Sequence, residues 1–599
     1  MPPFAHAPAT KSKDFKKSIK YLFRSLRSFR VAVVIALILA ALGTVISVMG
    51  PFVLNKMMEN IVVPPFDFDV ITRFGITLTL MYVFAFGFNY MQNFIMAKVS
   101  AKVTENFRRQ ISEKINRLPL AYFDKTTYGD VLSRMTNDVD RIGQTLNDSL
   151  ASLITSTTMI IGIPVMMFTI SWELTLFSLI ELPLAFGLIA LIVKFSQKYF
   201  VRQQKYLGQI NGHIEEIYSA HNVVKAFNGE QNAMEKFDAI NKNLAASARK
   251  SQFLSALMMP SINFIGNLIY VGVCVLGAWI AISNNNLLFI TSIITFITYI
   301  KIFNQPIAQF GSIFSSLQTA AAASERVMEF LEEKEEITDQ KAVTLKKIKG
   351  KVEFKNVCFG YDTDKPVIRD FSFTALPGQK IAIVGPTGAG KTTLVNLLMR
   401  FYEVGSGEIL IDGVNTKDMT RTYVRNLFGM VLQDTWLFEG SIRENLKYGK
   451  PDATDEEMIE AAKTANVHHF ITTLPGNYDM VLKEDSMVSQ GQKQLLTIAR
   501  AMLQGAPMLI LDEATSSVDT RTEVLIQEAM DRLTHGRTSF VIAHRLSTIR
   551  NADQIIVMNN GEVVECGTHE QLLAAGGFYA DLHSSQFDEK GDSKEIVEE

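Results

Sequence analysis

The sequence predicts a multidomain chain, with a six-helix transmembrane domain followed by an α/β domain built on a P-loop. Three observations predict it. Six stretches of the first half are apolar over enough length to span a bilayer, which takes about 20 residues each. Soluble character begins at Val352. Residues 385–392 read Gly-Pro-Thr-Gly-Ala-Gly-Lys-Thr, the G-x-x-x-x-G-K-[ST] spacing of a phosphate-cradling loop. The chain's 599 residues, 48% hydrophobic and 20% charged, are too many for one core, and the average conceals two unlike halves.

The N-terminal segment carries Lys11, Lys13, Lys16, Lys17, Lys20, Arg24, Arg27 and Arg30 against Asp14. Interleaved Phe15, Ile19, Tyr21, Leu22, Phe23 and Leu26 suit a helix on the membrane surface better than a nucleic-acid arm, so no nucleic-acid partner is expected. The spans are placed near Val31–Leu54, Ile71–Met96, Leu146–Ile170, Leu174–Val193, Leu254–Ile282 and Leu287–Phe310. Any one could be a buried soluble helix; six together argue otherwise. A cleaved signal peptide is disfavoured by the length of the first stretch and its lack of a small-residue cleavage pattern. Nine further Lys and Arg lie between Lys98 and Arg141, whereas Ser283-Asn-Asn-Asn286 has none, so both termini and the α/β domain are expected in the cytoplasm.

The cytoplasmic connections, about Ala97–Thr145 and Lys194–Phe253, read as helices leaving the bilayer, broken at Phe123–Gly129 and Ser219–Asn222. The chain thus divides into 1–335 (transmembrane), 336–350 (linker), 351–586 (nucleotide-binding) and an acidic, disordered tail over 587–599. Three cysteines, with Cys358 and Cys566 cytoplasmic, support neither disulfides nor a thiolate metal site, and nine scattered His lack ligand spacing.

Lys380–Val384 reads as the strand before the P-loop and Thr393–Arg400 as a helix after it, the context such a loop needs. Gly385, Pro386, Thr387, Gly388, Ala389, Gly390, Lys391, Thr392 and Thr393 then form the phosphate cradle, with Lys391 reaching the β/γ-phosphates and the Thr392 hydroxyl on Mg²⁺. Met508-Leu-Ile-Leu511 reads as a buried strand ending in Asp512 and Glu513. Asp512 is placed to hold Mg²⁺ and Glu513 to orient the attacking water. A helix N-cap is the alternative for Asp512 alone. Tyr361 offers an aromatic face for adenine, Gln433 can reach the metal and the water, and His544 can donate to the γ-phosphate. Singly each suits a structural role; their order around the P-loop favours catalysis. The cofactors expected are ATP and Mg²⁺.

Ser489-Gln-Gly-Gln492 adds a family-specific mark. With it the chain resembles, over nearly its whole length, the half-transporters of ATP-binding cassette exporters of the bacterial multidrug and lipid type. The resemblance implies a plasma-membrane protein whose paired nucleotide domains sandwich two ATP molecules, each between one chain's P-loop and the other's Ser489, Gln490, Gly491 and Gln492. It makes Asp519 part of the loop between paired domains, and Phe123–Gly129 and Ile217–Val224 the coupling helices. ATP hydrolysis would drive amphipathic or hydrophobic small molecules outward by alternating access.

Two departures stand out. Gln490 replaces the family's usual Gly, and Lys483–Val488 lacks a customary Gly and is about one residue short. With Lys391, Glu513 and His544 complete, the pattern resembles the competent subunit of a heterodimeric exporter; a homodimer with a harmless substitution is the alternative. Glu181, within a span, either attracts cationic substrates or is a protonated or hydrogen-bonded structural carboxyl. Asn89, Asn93, Asn263, Asn267, Asn304, Gln305 and Gln309 either line a cavity or join helices. Lipid flipping and peptide export are the alternatives within the family. A soluble repair or translation ATPase is contradicted by six spans, and an ATP-gated channel is disfavoured by Glu513.

Overall fold

The computed structural model describes residues 14–62, 67–284, 289–336, 343–362, 365–433, 435–483, 488–512, 519–542 and 549–584. Glu513, His544, the acidic tail and most of the shortened stretch before Ser489 lie outside the described residues. The chain forms two compact units, one of Met1–Leu118 with Lys125–Glu335, the other of Pro119–Asp124 with Glu336–Glu599.

The first unit is helical: α1 (Phe15–Ser25), α2 (Arg30–Val62), α3 (Phe68–Ile115), α4 (Leu120–Lys125, shared with the second unit), α5 (Tyr128–Ser133), α6 (Val139–Phe168), α7 (Trp172–Leu179), α8 (Glu181–Ser219), α9 (His221–Ala226), α10 (Glu230–Ala256), α11 (Met258–Ser283) and α12 (Phe289–Glu332). Asp14 caps α1 by accepting from the Lys17 N–H, and Ser18 and Leu22 form its buried stripe. Among the described residues, five helical stretches are long and apolar enough to cross a membrane, and α12 contains most of the sixth predicted span. At 1.5 Å per residue, the 48 residues of α3 extend about 70 Å, more than twice a bilayer's hydrocarbon core, so much of it lies outside the bilayer. Phe84, Phe86, Phe94, Leu191, Phe264 and Trp279 are exposed, an outward apolar surface that suits lipid.

Inside the bundle, Ile163, Met167, Leu174, Ala185, Ile269, Val273, Phe296, Tyr299 and Phe303 form the core. Polar bonds join its helices: Tyr299 Oη donates to the Val48 carbonyl (2.9 Å), and Ser156 donates to Gln309 (3.2 Å). Gln309 therefore joins helices although it is itself exposed, as are Asn93, Asn263, Asn267 and Gln305. The fourth predicted span, Leu174–Val193, is not one helix: α7 ends at Leu179 and α8 starts at Glu181. Pro183 has no N–H to return to the Leu179 carbonyl, which accounts for the break. Two further breaks fall in the long helical connections between spans, at α4–α5 and at α9.

The second unit contains β1 (Val352–Phe359), β2 (Ile368–Ala375), β3 (Lys380–Val384), β4 (Ser406–Ile411), β5 (Val414–Asn415), β6 (Phe428–Val431), β7 (Gly440–Ser441), β8 (Val481–Leu482), β9 (Met508–Asp512), β10 (Thr538–Ile542), β11 (Gln554–Asn559) and β12 (Glu562–Gly567). Its helices are α13 (Lys391–Leu398), α14 (Arg421–Asn426), α15 (Ile442–Lys447), α16 (Asp455–Thr464), α17 (His468–Thr473), α18 (Gln490–Gln504), α19 (Thr520–Thr534), α20 (His569–Ala575) and α21 (Phe578–His583). The main sheet has the order β12-β11-β3-β10-β9-β6, parallel except for β12, and a second antiparallel sheet runs β2-β1-β4-β5. Strands β3, β9 and β10 are almost entirely buried, as runs such as Met508–Leu511 require of a covered parallel sheet. The described part of the expected linker packs on this unit: Val343 N donates to the Asp418 carbonyl (2.9 Å), and the Lys349 and Gly350 N–H groups donate to the Asp412 carboxylate (2.8 and 3.2 Å).

Candidate functional site

The phosphate loop begins where buried β3 ends. Gly385, Gly388 and Gly390 have φ of 151°, 86° and 100°, a backbone that only glycine adopts without strain. Space also excludes larger residues. A Cβ at Gly390 would lie 2.7 Å from Ile368 Cδ1, and one at Gly385 would strike the Met558 carbonyl. Ala389 is buried, its N–H donating to the Pro386 carbonyl (3.2 Å) and its carbonyl accepting from Gly561 N (3.2 Å). Thr387, Gly388 and Thr392 remain exposed along the crest. The N–H groups and dipole of α13 open onto that crest, which gives an anion site.

Lys391 Nζ donates to the Gly385 and Pro386 carbonyls at 2.7 and 3.1 Å. Burial lowers its pKa and the Asp512 charge opposes that shift, so the two groups sense one another across the site. Strand register explains why. Ile383 pairs with Ile542, and Ile542 pairs with Asp512, so Asp512 ends two strands away on the edge where the loop begins. Gln433 lies two residues beyond β6, the neighbour of β9, and is exposed at the same edge. Glu513 and His544, next to β9 and β10 in sequence, lie outside the described residues.

Tyr361 is held to the first turn of α13. Its hydroxyl is 3.2 Å from Thr393 Oγ1 and accepts from Asn396 Nδ2 (3.4 Å), while its exposed ring meets Phe359 and Tyr402 edge-on at 5.1 and 5.2 Å. Thr393, placed by sequence in the cradle, is buried and meets the Tyr361 hydroxyl. Sequence reading missed Tyr402. Its hydroxyl donates to the Asp124 carboxylate, and burial together with that charge raises its pKa. No local motif marks it, because its partner is far away in sequence.

Ser489 caps α18. Its Oγ accepts from Gln492 N (3.3 Å), and Gln492 Oε1 accepts from Ser489 N (3.0 Å). This reciprocal box was legible in the S-x-x-Q spacing. Gln490 is the first residue of α18 and is exposed, whereas Gly491 is buried. Among the described residues, no hydrogen bond or ion pair joins Ser489–Gln492 to the phosphate loop. Asp519 caps α19 by accepting from Thr522 N (2.9 Å), and bonds to Thr522 hold its carboxyl below the usual range.

Thr392, Gln433 and Asp512 present hydroxyl, amide and carboxylate oxygens, a hard donor set that suits Mg²⁺. Glu181, the candidate for cationic cargo, is buried at the start of α8.

Comparison with known proteins gives one answer. Residues 33–307 match the ABC transporter transmembrane region, and residues 368–516 match the ABC transporter domain. A fatty acid ABC transporter ATP-binding/permease protein of Mycobacterium tuberculosis is 45% identical over 86% of this chain and 81% of that protein. An ATP-dependent lipid A-core flippase of Syntrophus aciditrophicus is 36% identical over 97% of this chain and 96% of that protein. The structure of a bacterial Atm1-family ABC exporter with ATP bound matches with a TM-score of 0.72 and 27% identity, covering 94% of this chain and 98% of the other.

Proposed function

The chain belongs to the ABC transporter family as an exporter half-transporter, and from that premise we propose that it expels amphipathic, hydrophobic small molecules across the bacterial plasma membrane. The observation carrying this reading is the union in one chain of a phosphate cradle beside Asp512 with long helices whose outer faces are apolar.

ATP lays its phosphates on the crest from Thr387 to Thr392, and Lys391 exchanges the Gly385 and Pro386 carbonyls for β/γ-oxygens. Thr392, Gln433 and Asp512 would hold Mg²⁺, which supplies charge that offsets the phosphate oxygens. Glu513 orients the attacking water, and His544 donates to the γ-phosphate. Tyr361 stacks on the adenine. Asp519 and the Ser489–Gln492 turn serve the paired chain, so one chain holds two half-sites. The position of Gln490 at the first turn of α18 favours a partner with an ordinary signature, hence a heterodimer.

Drugs and lipids share the amphipathic chemistry required here. Lipid or fatty-acid cargo is favoured by the names of the relatives above, and multidrug cargo by the Met- and aromatic-rich spans. Inside-out vesicles containing the transporter should accumulate a fluorescent fatty acid or a lipophilic dye when ATP is added, and Glu513→Gln should abolish uptake. Uptake that is the same without ATP would overturn export.

A further inference from the structure

Glu181 is 1% exposed, and neither of its carboxyl oxygens has a hydrogen-bond partner. Facing it is Asn304 of α12, whose buried Oδ1 is likewise unpartnered. Both side chains press on the bare backbone of Gly266 in α11: a Cβ there would lie 3.1 Å from Glu181 Oε1 and strike Asn304 Nδ2. Among the described residues, no cation pairs with Glu181. Two carboxyl oxygens and one amide oxygen are thus buried beside Gly266 without a hydrogen bond, an arrangement that strongly disfavours an ionised carboxyl.

We propose that Glu181 and Asn304 form a proton-binding site, occupied in this conformation and emptied when ATP drives the helices apart. One added proton, together with the Asn304 amide N–H, satisfies all three oxygens. The carboxylic O–H donates to Asn304 Oδ1, and the Asn304 amide N–H donates back to the other carboxyl oxygen, closing a two-bond ring. The closeness of Gly266 leaves room for a proton rather than a cargo molecule. The α7–α8 break at Ile180, beside Pro183, is a place where the spans can bend, and partly exposed Asn304 offers the proton a way out.

Among the described residues on the neighbouring elements, none supplies a compensating charge. On neighbouring elements, Glu173 of α7 and Lys301 of α12 are exposed, and Tyr299 of α12 spends its hydroxyl on Val48. Tyr270 and Cys274 of α11 are half-buried and uncharged at neutral pH. The turns of α6 in this core, from Met159 to Met167, and Val48 of α2 bring no titratable group.

Infrared spectroscopy of the full transporter in lipid nanodiscs tests this through the carbonyl stretch of a buried carboxylic acid. Wild type at neutral pH should show the band, Glu181→Gln should lose it, and Asn304→Leu should shift it to the frequency of an acid without a hydrogen bond. Trapping with ATP and vanadate should remove the band from wild type. If wild type lacks the band at neutral pH, if Glu181→Gln retains it, or if trapping leaves it unchanged, the site is not a proton carrier. Should Glu181→Gln fail to fold, the shift in Asn304→Leu and the trapping difference in wild type still decide.

Discussion

At the scale of single residues, the proposed site predicts that Lys391 and Glu513 separate binding from turnover. Lys391→Ala removes the charge facing the phosphates and should weaken ATP affinity at least about tenfold, since a charged hydrogen bond contributes roughly 1.5–3 kcal/mol. Glu513→Gln should leave affinity within about twofold and cut turnover by orders of magnitude. Equilibrium nucleotide binding and ATPase rates on both variants check the split; a Glu513→Gln protein hydrolysing at the wild-type rate would remove Glu513 from catalysis. Ser489 closes a reciprocal cap, so Ser489→Ala should cost about 1 kcal/mol and lower the unfolding midpoint by about 3 °C. The same change removes a hydroxyl that our reading turns toward the partner's ATP, so its loss of ATPase should exceed what lost stability explains. Thermal unfolding and ATPase measured on one preparation separate the two effects.

At the scale of elements, the phosphate loop depends on backbone shape as much as on side chains. Gly390→Ala places a Cβ at φ 100° against Ile368, a strain of about 1–2 kcal/mol, and should reduce ATP affinity roughly tenfold while the fold survives. Isothermal titration on a variant of unchanged secondary structure measures this. The loop, its strand and Asp512 were legible in sequence because their signals are local: glycine spacing, a short apolar run, an acidic end. Spans were legible because bilayer thickness fixes their length. The break before Glu181 was readable from Pro183 but hidden within a stretch apolar enough to read as one span. The Tyr361–Tyr402–Asp124 cluster and the Glu181–Asn304–Gly266 meeting were not legible, because each joins segments distant in sequence and no periodicity records which helix faces which.

At the scale of the whole molecule, the heterodimer we propose would carry the asymmetry that Gln490 suggests. Purified with a candidate partner bearing an ordinary signature, this chain should account for nearly all turnover. Glu513→Gln here should almost abolish ATPase, and the equivalent change in the partner should matter little. Full ATPase and transport by this chain alone, measured at a defined dimer mass, would establish a homodimer instead. Helix α18 gives such pairing a kinetic form. Its 15 residues make a rod about 22 Å long, with Ser489 at one end and at the other a tight Gly505 turn that leads into β9, the strand that ends at Asp512. In the proposed dimer, one rigid piece would begin at the surface offered to a neighbour's nucleotide and lead into the strand that serves its own. If both ATP molecules favour the same closed position of this rod, the ATPase rate should rise sigmoidally with ATP concentration, with a Hill coefficient above one.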